Sequence, residues 1–308
     1  MTIQQLKYII AIDRHRNFAK AAEELGVTQP TLSAMLLKLE EELDVRIFER
    51  SNKNVKPTAA GELIIRQAEK ANQEIERIHK FVSEYKGETT GSLSLAIAPS
   101  ISPYIVPQFV KHYTAQYPQV ELSIADMKIE NMLEAVANGQ LDAGIAISGN
   151  TRQGIWEIPL YTERFWVYLS ENCWRKLPVF KPENLEHEQM WIMKEAQCLR
   201  NSAFSFCKAR SKGHQLYEAG CIDTLVRIVD ANGGYTIIPE MHLPFLTEQQ
   251  RTNVRRIEGN SQSQRRVSLY FRENEIRQRL LDSIAQVLLS FLPKRMVDDH
   301  LAKFGIRL

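Results

Sequence analysis

Residues 17–57 read NFAKAAEELGVTQPTLSAMLLKLEEELDVRIFERSNKNVKP, and the order of parts in this stretch decides the fold of the N-terminal region. Asn17 is a good helix N-cap, and Phe18, Ala21, Ala22 and Leu25 follow at helical spacing, so a short helix is predicted to start there. Gly26 ends it, because glycine enters the left-handed backbone region without a Cβ penalty. Thr28 then caps a second helix with Pro30 near its first turn, and Leu32, Leu36, Leu39 and Leu43 form its buried stripe. Two short helices joined by a tight Gly-containing turn make a helix-turn-helix, whose second helix lies in the DNA major groove. Spacing alone fits a plain helical hairpin as well. The continuation separates the two: Val45–Arg50 and Ser51–Lys56 form a polar turn between two short extended runs, a β-wing with Arg50, Lys53 and Lys56 placed to meet phosphates.

Five motifs fall in order here: Phe18-x-x-Ala21-Ala22, Gln29-Pro30-x-Leu32-Ser33, Leu39-Glu40-x-Glu42-Leu43, Phe48-Glu49-Arg50 and Thr58-x-x-Gly61. Together they resemble the winged helix-turn-helix of the LysR-type transcriptional regulators. By this resemblance Gln29, Pro30, Thr31 and Ser33 face the groove, while Arg50, Lys53 and Lys56 hold the DNA backbone. It also implies double-stranded promoter DNA, further copies of the chain and RNA polymerase as partners. One departure is Ala34-Met35-Leu36, where many relatives carry longer polar side chains, which moves weight from base readout to DNA shape.

Size and composition agree. The 308 residues set a prior of about two domains, and 44% hydrophobic with 25% charged residues is ordinary globular composition. Net charge is only +2, and residues 1–57 carry nine basic against eight acidic side chains, so attraction to DNA must come from local placement. No apolar run approaches the ~20 residues that span a bilayer. The opening MTIQQLKYII lacks the features of a signal peptide, so the expected location is the cytoplasm, where thiols are kept reduced.

From Thr58 to about Lys86 a long helix is predicted. Ile64, Ala68, Ala71, Ile75, Ile78, Val82 and Tyr85 recur at alternating intervals of 4 and 3, an a/d seam that reads as a dimerisation helix. Gly87–Gly91 then forms a hinge. Beyond it, short apolar strands (Leu93–Ala98, Val120–Ile124, Asp142–Ile147) alternate with helices (Pro103–Tyr117, Asn131–Asn138), which predicts a mostly parallel sheet covered by helices. A second block has strands near Phe165–Leu169 and Thr236–Ile238, a returning strand at Arg266–Arg272 and a closing helix at Glu275–Leu292. This resembles the two-lobed, periplasmic-binding-protein-like effector domain of the same family. The expected architecture is α/β with an all-α, winged N-terminal domain. It comprises a DNA-binding domain at 1–58, a linker helix and hinge at 59–90, and an effector domain at 91–308. Lobe I is about 91–163 plus 266–308 and lobe II about 164–265, and the resemblance implies a dimer or tetramer.

The cysteines are Cys173, Cys198, Cys207 and Cys221. From Ala196 to Tyr217 no residue is acidic, while Arg200, Lys208, Arg210 and Lys212 are basic, and nearby positive charge favours the peroxide-attacking thiolate. Composition alone fits a solvated basic loop equally well. Cys198-Leu199-Arg200-Asn201-x-Ala203-x-x-Phe206-Cys207, however, resembles the redox segment of the hydrogen-peroxide-sensing (OxyR) branch of the family. So does Pro99-Ser100-x-x-Pro103-Tyr104-x-x-Pro107, with Ser100 in a usual threonine position. The resemblance makes Cys198 the attacking cysteine and Cys207 the resolving one, with Ser100, Gln197 and Arg200 supporting the peroxide site. Gln197, Ile129 and Leu216 depart from the branch pattern, which bears on the speed of the reaction. Leu199, Ala203 and Phe206 give helical patterning between the two cysteines, so closing a disulfide there requires that helix to refold. Cys173 and Cys221 are expected to be packed thiols. No metal-ligand spacing, phosphate loop or hydrolase order is present, so neither cofactor, metal nor enzymatic activity is expected. The alternatives are a regulator that binds a small organic anion between the lobes, a solute-binding module and a peroxidase.

Overall fold

The structure, a computed structural model, describes residues 1–49, 55–85, 89–150, 152–174, 190–193, 215–217, 222–257, 264–275 and 277–299. The chain divides into two compact units, Met1–Glu88 and Thr89–Leu308.

The first unit opens with a helix ahead of residues 17–57, α1 (Ile3–His15). A capping box starts it: Thr2 Oγ1 accepts from the Gln5 N–H, and the Gln5 side chain accepts from the Thr2 N–H. Helix α2 (Phe18–Glu24) begins where Asn17 Oδ1 accepts from the N–H groups of Ala19 and Lys20 at 2.9 and 3.1 Å. Gly26 follows at φ +64°, and α3 (Gln29–Leu43) starts at the Thr28 cap. Leu6, Ile9 and Ile12 of α1 close a core with Ala21, Ala22, Leu32, Leu36 and Leu39, while Phe18, Leu25 and Leu43 lie at its edge. The wing is two short antiparallel strands, β1 (Phe48–Glu49) and β2 (Lys56–Pro57).

Three residues of the five motifs acquire physical reasons here. The buried Glu40 carboxylate accepts from the N–H groups of Ile47 and Phe48 at 2.7 and 3.1 Å, fixing the entry to the wing on α3. Thr58 caps α4 (Ala59–Tyr85) by accepting from the Gly61 N–H at 2.9 Å. At Gly61 the helix passes so close to the wing that an added Cβ would sit 1.9 Å from the Ile47 carbonyl oxygen.

The expected seam on α4 divides. Ala68 is 3% exposed and belongs with Ile65 to the core of its own unit, and Ile64 packs at the edge of that core. Ala68 therefore cannot serve a partner helix as the heptad pattern anticipated, because α1 already covers it. Ile75 is half-buried and Ala71 exposed, while Ile78 is 63%, Val82 44% and Tyr85 85% exposed.

The second unit is built on β3 (Gly91–Ile97), β4 (Val120–Asp126), β5 (Ala143–Ile147), β6 (Ile155–Leu169), β7 (Trp191–Met193), β8 (Gln215–Tyr217), β9 (Tyr235–Pro239), β10 (Val254–Arg256) and β11 (Gln264–Arg272). Its main sheet runs β10-β6-β11-β5-β3-β4, with β9 also pairing β6. Only β3/β4 and β3/β5 in that sheet are parallel; β11 pairs both β5 and β6 antiparallel, as do β9 and β10 with β6. The expectation of a mostly parallel sheet is thus corrected to a mixed one, because two long strands bring the chain across and back. The first ten residues of β6 pair β11, and from Phe165 onward β6 pairs β9 and β10. The anticipated lobe boundaries at 163/164 and 265/266 fall inside β6 and β11, which continue through them.

Helices α5 (Ser102–Gln116) and α8 (Gln278–Phe291) cover one face of the lobe I strands. Helix α6 (Ile129–Ala137) covers the other, and α7 (Ile222–Asn232) packs on the far half of β6. A buried network ties α8 to the strands: Arg277 pairs with Asp142, whose other oxygen accepts from Ser94 N–H at 2.8 Å.

Candidate functional site

On the DNA-binding unit, Gln29, Pro30 and Thr31 stand exposed on the first turn of α3, and Ser33 is half-buried beside them. The Thr31 hydroxyl bonds the Thr28 hydroxyl at 2.8 Å, which holds it to the cap. Lys56 is exposed on β2, while Arg50 and Lys53 lie outside the described residues.

On the effector unit, Cys198, Cys207, Gln197 and Arg200 lie outside the described residues, as do Cys221 and His214. Ser100 is described, half-buried in the turn between the end of β3 and the start of α5. Ligands of α/β sheets gather at this kind of place, outside the carboxyl end of a strand and at a helix N-terminus. Ile129, which departs from the branch pattern, packs among apolar residues at the start of α6.

Ser100 is held by a residue that sequence reasoning missed. Arg265 donates from one guanidinium nitrogen to Ser100 Oγ at 3.3 Å and from another to the Ser100 carbonyl at 3.1 Å. Its Nε donates to Glu163 at 2.7 Å, and Glu163 also accepts from the Met241 N–H at 3.2 Å. Glu163 and Arg265 face each other in register on β6 and β11, at the point where the chain leaves one lobe and returns to it. Both side chains are almost wholly buried. Burial works against the Arg265 charge, but the adjacent Glu163 carboxylate and the nearby Tyr161 and Tyr104 together outweigh burial and raise the guanidinium's pKa. The clue in the sequence is Glu163, one of two carboxylates (with Glu157) inside the otherwise largely apolar run IWEIPLYTERFWVYL, in register with Arg265 of the Arg265-Arg266 pair.

Around this pair sits a second polar layer. The Tyr104 hydroxyl meets His242 Nδ1 at 3.1 Å, and the imidazole is 1% exposed. Its Nε2 has no hydrogen-bond partner among the described residues, with Asp223 of α7 at 3.9 Å. Burial pushes the His242 pKa down, partly opposed by Asp223. Tyr161, fully buried, also keeps a hydroxyl without a partner among the described residues, and burial together with Glu163 raises its pKa far above the phenol range. A separate open groove of about 490 Å³ is lined by Trp166, Leu243, Pro244, Arg251 and Val254, and neither Ser100 nor Arg265 contributes to it.

Comparison with known proteins decides the family. The model of the LysR substrate binding domain matches residues 86–303, and that of the bacterial regulatory helix-turn-helix protein, lysR family, matches residues 3–62. The chain belongs to the LysR family. It is 29% identical over 275 residues to a hydrogen peroxide-inducible genes activator of Haemophilus influenzae, covering 88% of this chain and 91% of that protein. Full-length OxyR from Pseudomonas aeruginosa, carrying a cysteine-to-aspartate substitution, superposes with a TM-score of 0.76 at 25% identity, over 97% of this chain and 98% of that one. An H2O2-bound cysteine-to-serine mutant of Corynebacterium glutamicum OxyR superposes with a TM-score of 0.59 at 26% identity, over 94% and 92%. The LysR architecture, a helix-turn-helix unit followed by a two-lobed domain with mixed sheets, is the one described above. Among the described residues no helix is long and apolar enough to cross a membrane.

Proposed function

We propose that this LysR-family protein is a cytoplasmic transcriptional regulator, not an enzyme, that senses hydrogen peroxide and controls oxidative-stress genes. Its switch is a reversible disulfide between Cys198 and Cys207. The Cys198 thiolate attacks one oxygen of peroxide, the O–O bond breaks, and hydroxide leaves as the sulfur becomes sulfenic acid. The Cys207 thiolate then attacks that sulfur, forming the disulfide and releasing the second oxygen as water after protonation. A loop of about ten residues stabilises such a bond by roughly 2.5–3 kcal/mol in the chain-entropy model, comparable to the packing that refolding the helix expected from the sequence pattern would lose. Two nearly balanced states are what a switch needs.

The observation that carries this reading is the Ser100–Arg265–Glu163 arrangement. A hydroxyl is presented where a small ligand would sit, yet the cation behind it is neutralised by a buried carboxylate. A site with balanced charge suits a neutral hydrogen-bonding signal such as peroxide better than the organic anion of the alternative reading. In this account Ser100 and Arg265 orient peroxide, with Gln197 and Arg200 completing the polar surroundings. The DNA-binding unit reads promoter DNA through Gln29, Pro30, Thr31 and Ser33, with Arg50, Lys53 and Lys56 on phosphates. Pairing through Ile75, Ile78 and Val82 of α4 makes a dimer, effector pairing makes a tetramer, and RNA polymerase is the downstream partner. The test is disulfide mapping by mass spectrometry after a brief micromolar peroxide pulse. A Cys198–Cys207 disulfide is expected, and its absence alongside tight binding of a metabolite would favour the anion reading.

A further inference from the structure

The groove beside Trp166 is shaped by a local run that the peroxide reading does not use, Leu243-Pro244-Phe245-Leu246-Thr247. Leu246 is buried in the core under α7, which pins the run where the 3₁₀ helix Glu240–Phe245 ends. A capping box of Thr247 with Gln250 then starts the short helix Glu248–Arg251. Arg251 reaches back to donate to the Pro244 carbonyl at 3.3 Å, which ties the two pieces together. The rest of the lining is Trp166 of β6 and Val254 of β10. Arg256 stands in register with Trp166 and lays its guanidinium over the indole, 5.4 Å from the ring centroid. Arg251 and Arg256 are both exposed, and neither has a carboxylate partner among the described residues. The Asp230 carboxylate is already engaged by the Tyr168 hydroxyl and by Gln250 Nε2, and Glu248 pairs with neither arginine. The Trp166 indole N–H is a further donor, buried and without a hydrogen-bond partner among the described residues.

We propose that this groove is a ligand site, distinct from the Ser100 turn, that takes a small aromatic monocarboxylate. At about 490 Å³ it has the size of a small-molecule site, and its lining is apolar apart from Arg251. A planar ring buries its faces against Trp166, Leu243 and Val254, where area removed from water and aromatic contact both favour it. The carboxylate meets Arg251 and Arg256, whose planar forks suit it and which hold no carboxylate of their own among the described residues. An inorganic anion would leave the indole and leucine uncovered, and a neutral aromatic would leave both cations unpaired. The site does not depend on the cysteines, so it stands or falls apart from the redox switch.

Fluorine NMR of the full-length protein carrying 5-fluorotryptophan provides the test. Trp156, Trp166, Trp174 and Trp191 each give one resonance, and Trp166→Phe assigns the one that matters. The probes are 2-naphthoate and its neutral counterpart 2-naphthamide. Naphthoate should move the Trp166 resonance saturably, and naphthamide should bind at least about tenfold more weakly, as the loss of a charge-assisted contact requires. Arg251→Gln/Arg256→Gln should bring the naphthoate affinity down to that of naphthamide. Both substituted residues are exposed, and an unchanged melting curve confirms that the variant is folded. A Trp166 resonance that naphthoate leaves in place, or a shift confined to the other tryptophans, would overturn the site. Equal affinity for the two probes, or an unchanged naphthoate affinity in the double variant, would overturn the carboxylate assignment. A Trp166 resonance that moves with protein concentration alone would give the groove to a second copy of the chain and overturn the proposal as well.

Discussion

Arg265→Met tests how the effector site is held. The substitution keeps length and volume but deletes the guanidinium that joins Glu163 at 2.7 Å and Ser100 at 3.1 and 3.3 Å. Glu163 would be left as a buried carboxylate retaining only its bond from the Met241 N–H. Breaking a buried pair from one side costs about 3–5 kcal/mol, because the surviving charge is not solvated. Glu163→Gln strands the guanidinium instead and should cost a similar amount. In Arg265→Met/Glu163→Gln no charge remains buried, and the amide oxygen still accepts from Met241, so the loss should be well below the sum of the two singles, with a coupling of about 2–3 kcal/mol. Tryptophan fluorescence during urea unfolding reports the second unit alone, since Trp156, Trp166, Trp174 and Trp191 all lie within Thr89–Leu308. Arg265→Met should also slow the oxidation of Cys198. Additive singles, or a single-site cost below about 1 kcal/mol, would show that the pair is not the anchor of Ser100.

Gly61→Ala should destabilise the DNA-binding unit by about 1–3 kcal/mol, because relieving the clash with the Ile47 carbonyl outweighs the gain in helix propensity; a thermal melt of that unit that rises instead would contradict the close approach. Replacing both Ile75 and Ile78 with Asp would place charges in an apolar seam at several kcal/mol, so sedimentation velocity should show dissociation at micromolar concentration, whereas a parental profile would remove α4 as the dimer contact. His242 is held neutral by burial, so its folded pKa lies below the unfolded value of about 6.5. The unfolded chain then binds the proton more readily, and stability falls as pH drops below about 6.5 until the folded pKa is reached. His242→Gln should lose less urea resistance than the natural protein between pH 7.5 and 5.5, and an equal loss would place the titration elsewhere.

The helix-turn-helix was legible because local chemistry dominates it. Asn17, Gly26, Thr28 and Thr58 act on backbone groups within a few residues, and each does in the structure what its residue type allows. α1 carries the same kind of local signal, Thr2 with Gln5 ahead of Leu6, Ile9 and Ile12. The a/d pattern of α4 could not distinguish a partner helix from α1, since either buries Ala68 equally well. Sheet direction failed for a different reason. Alternating strands and helices say nothing about β6 and β11 running past the lobe boundary side by side, and that pairing makes the sheet mixed. The same long-range pairing brings Arg265 to Ser100, 165 positions away, which no local pattern encodes.

Peroxide treatment of the Cys198→Ser protein tests the central claim most directly, read by DNase footprinting of promoter DNA alongside disulfide mapping. The natural protein should form the Cys198–Cys207 disulfide and change its footprint, Cys207→Ser should accumulate sulfenic or over-oxidised Cys198 without the disulfide, and Cys198→Ser should keep the reduced-state footprint at every dose. A Cys198→Ser footprint that still shifts with peroxide would contradict the redox switch.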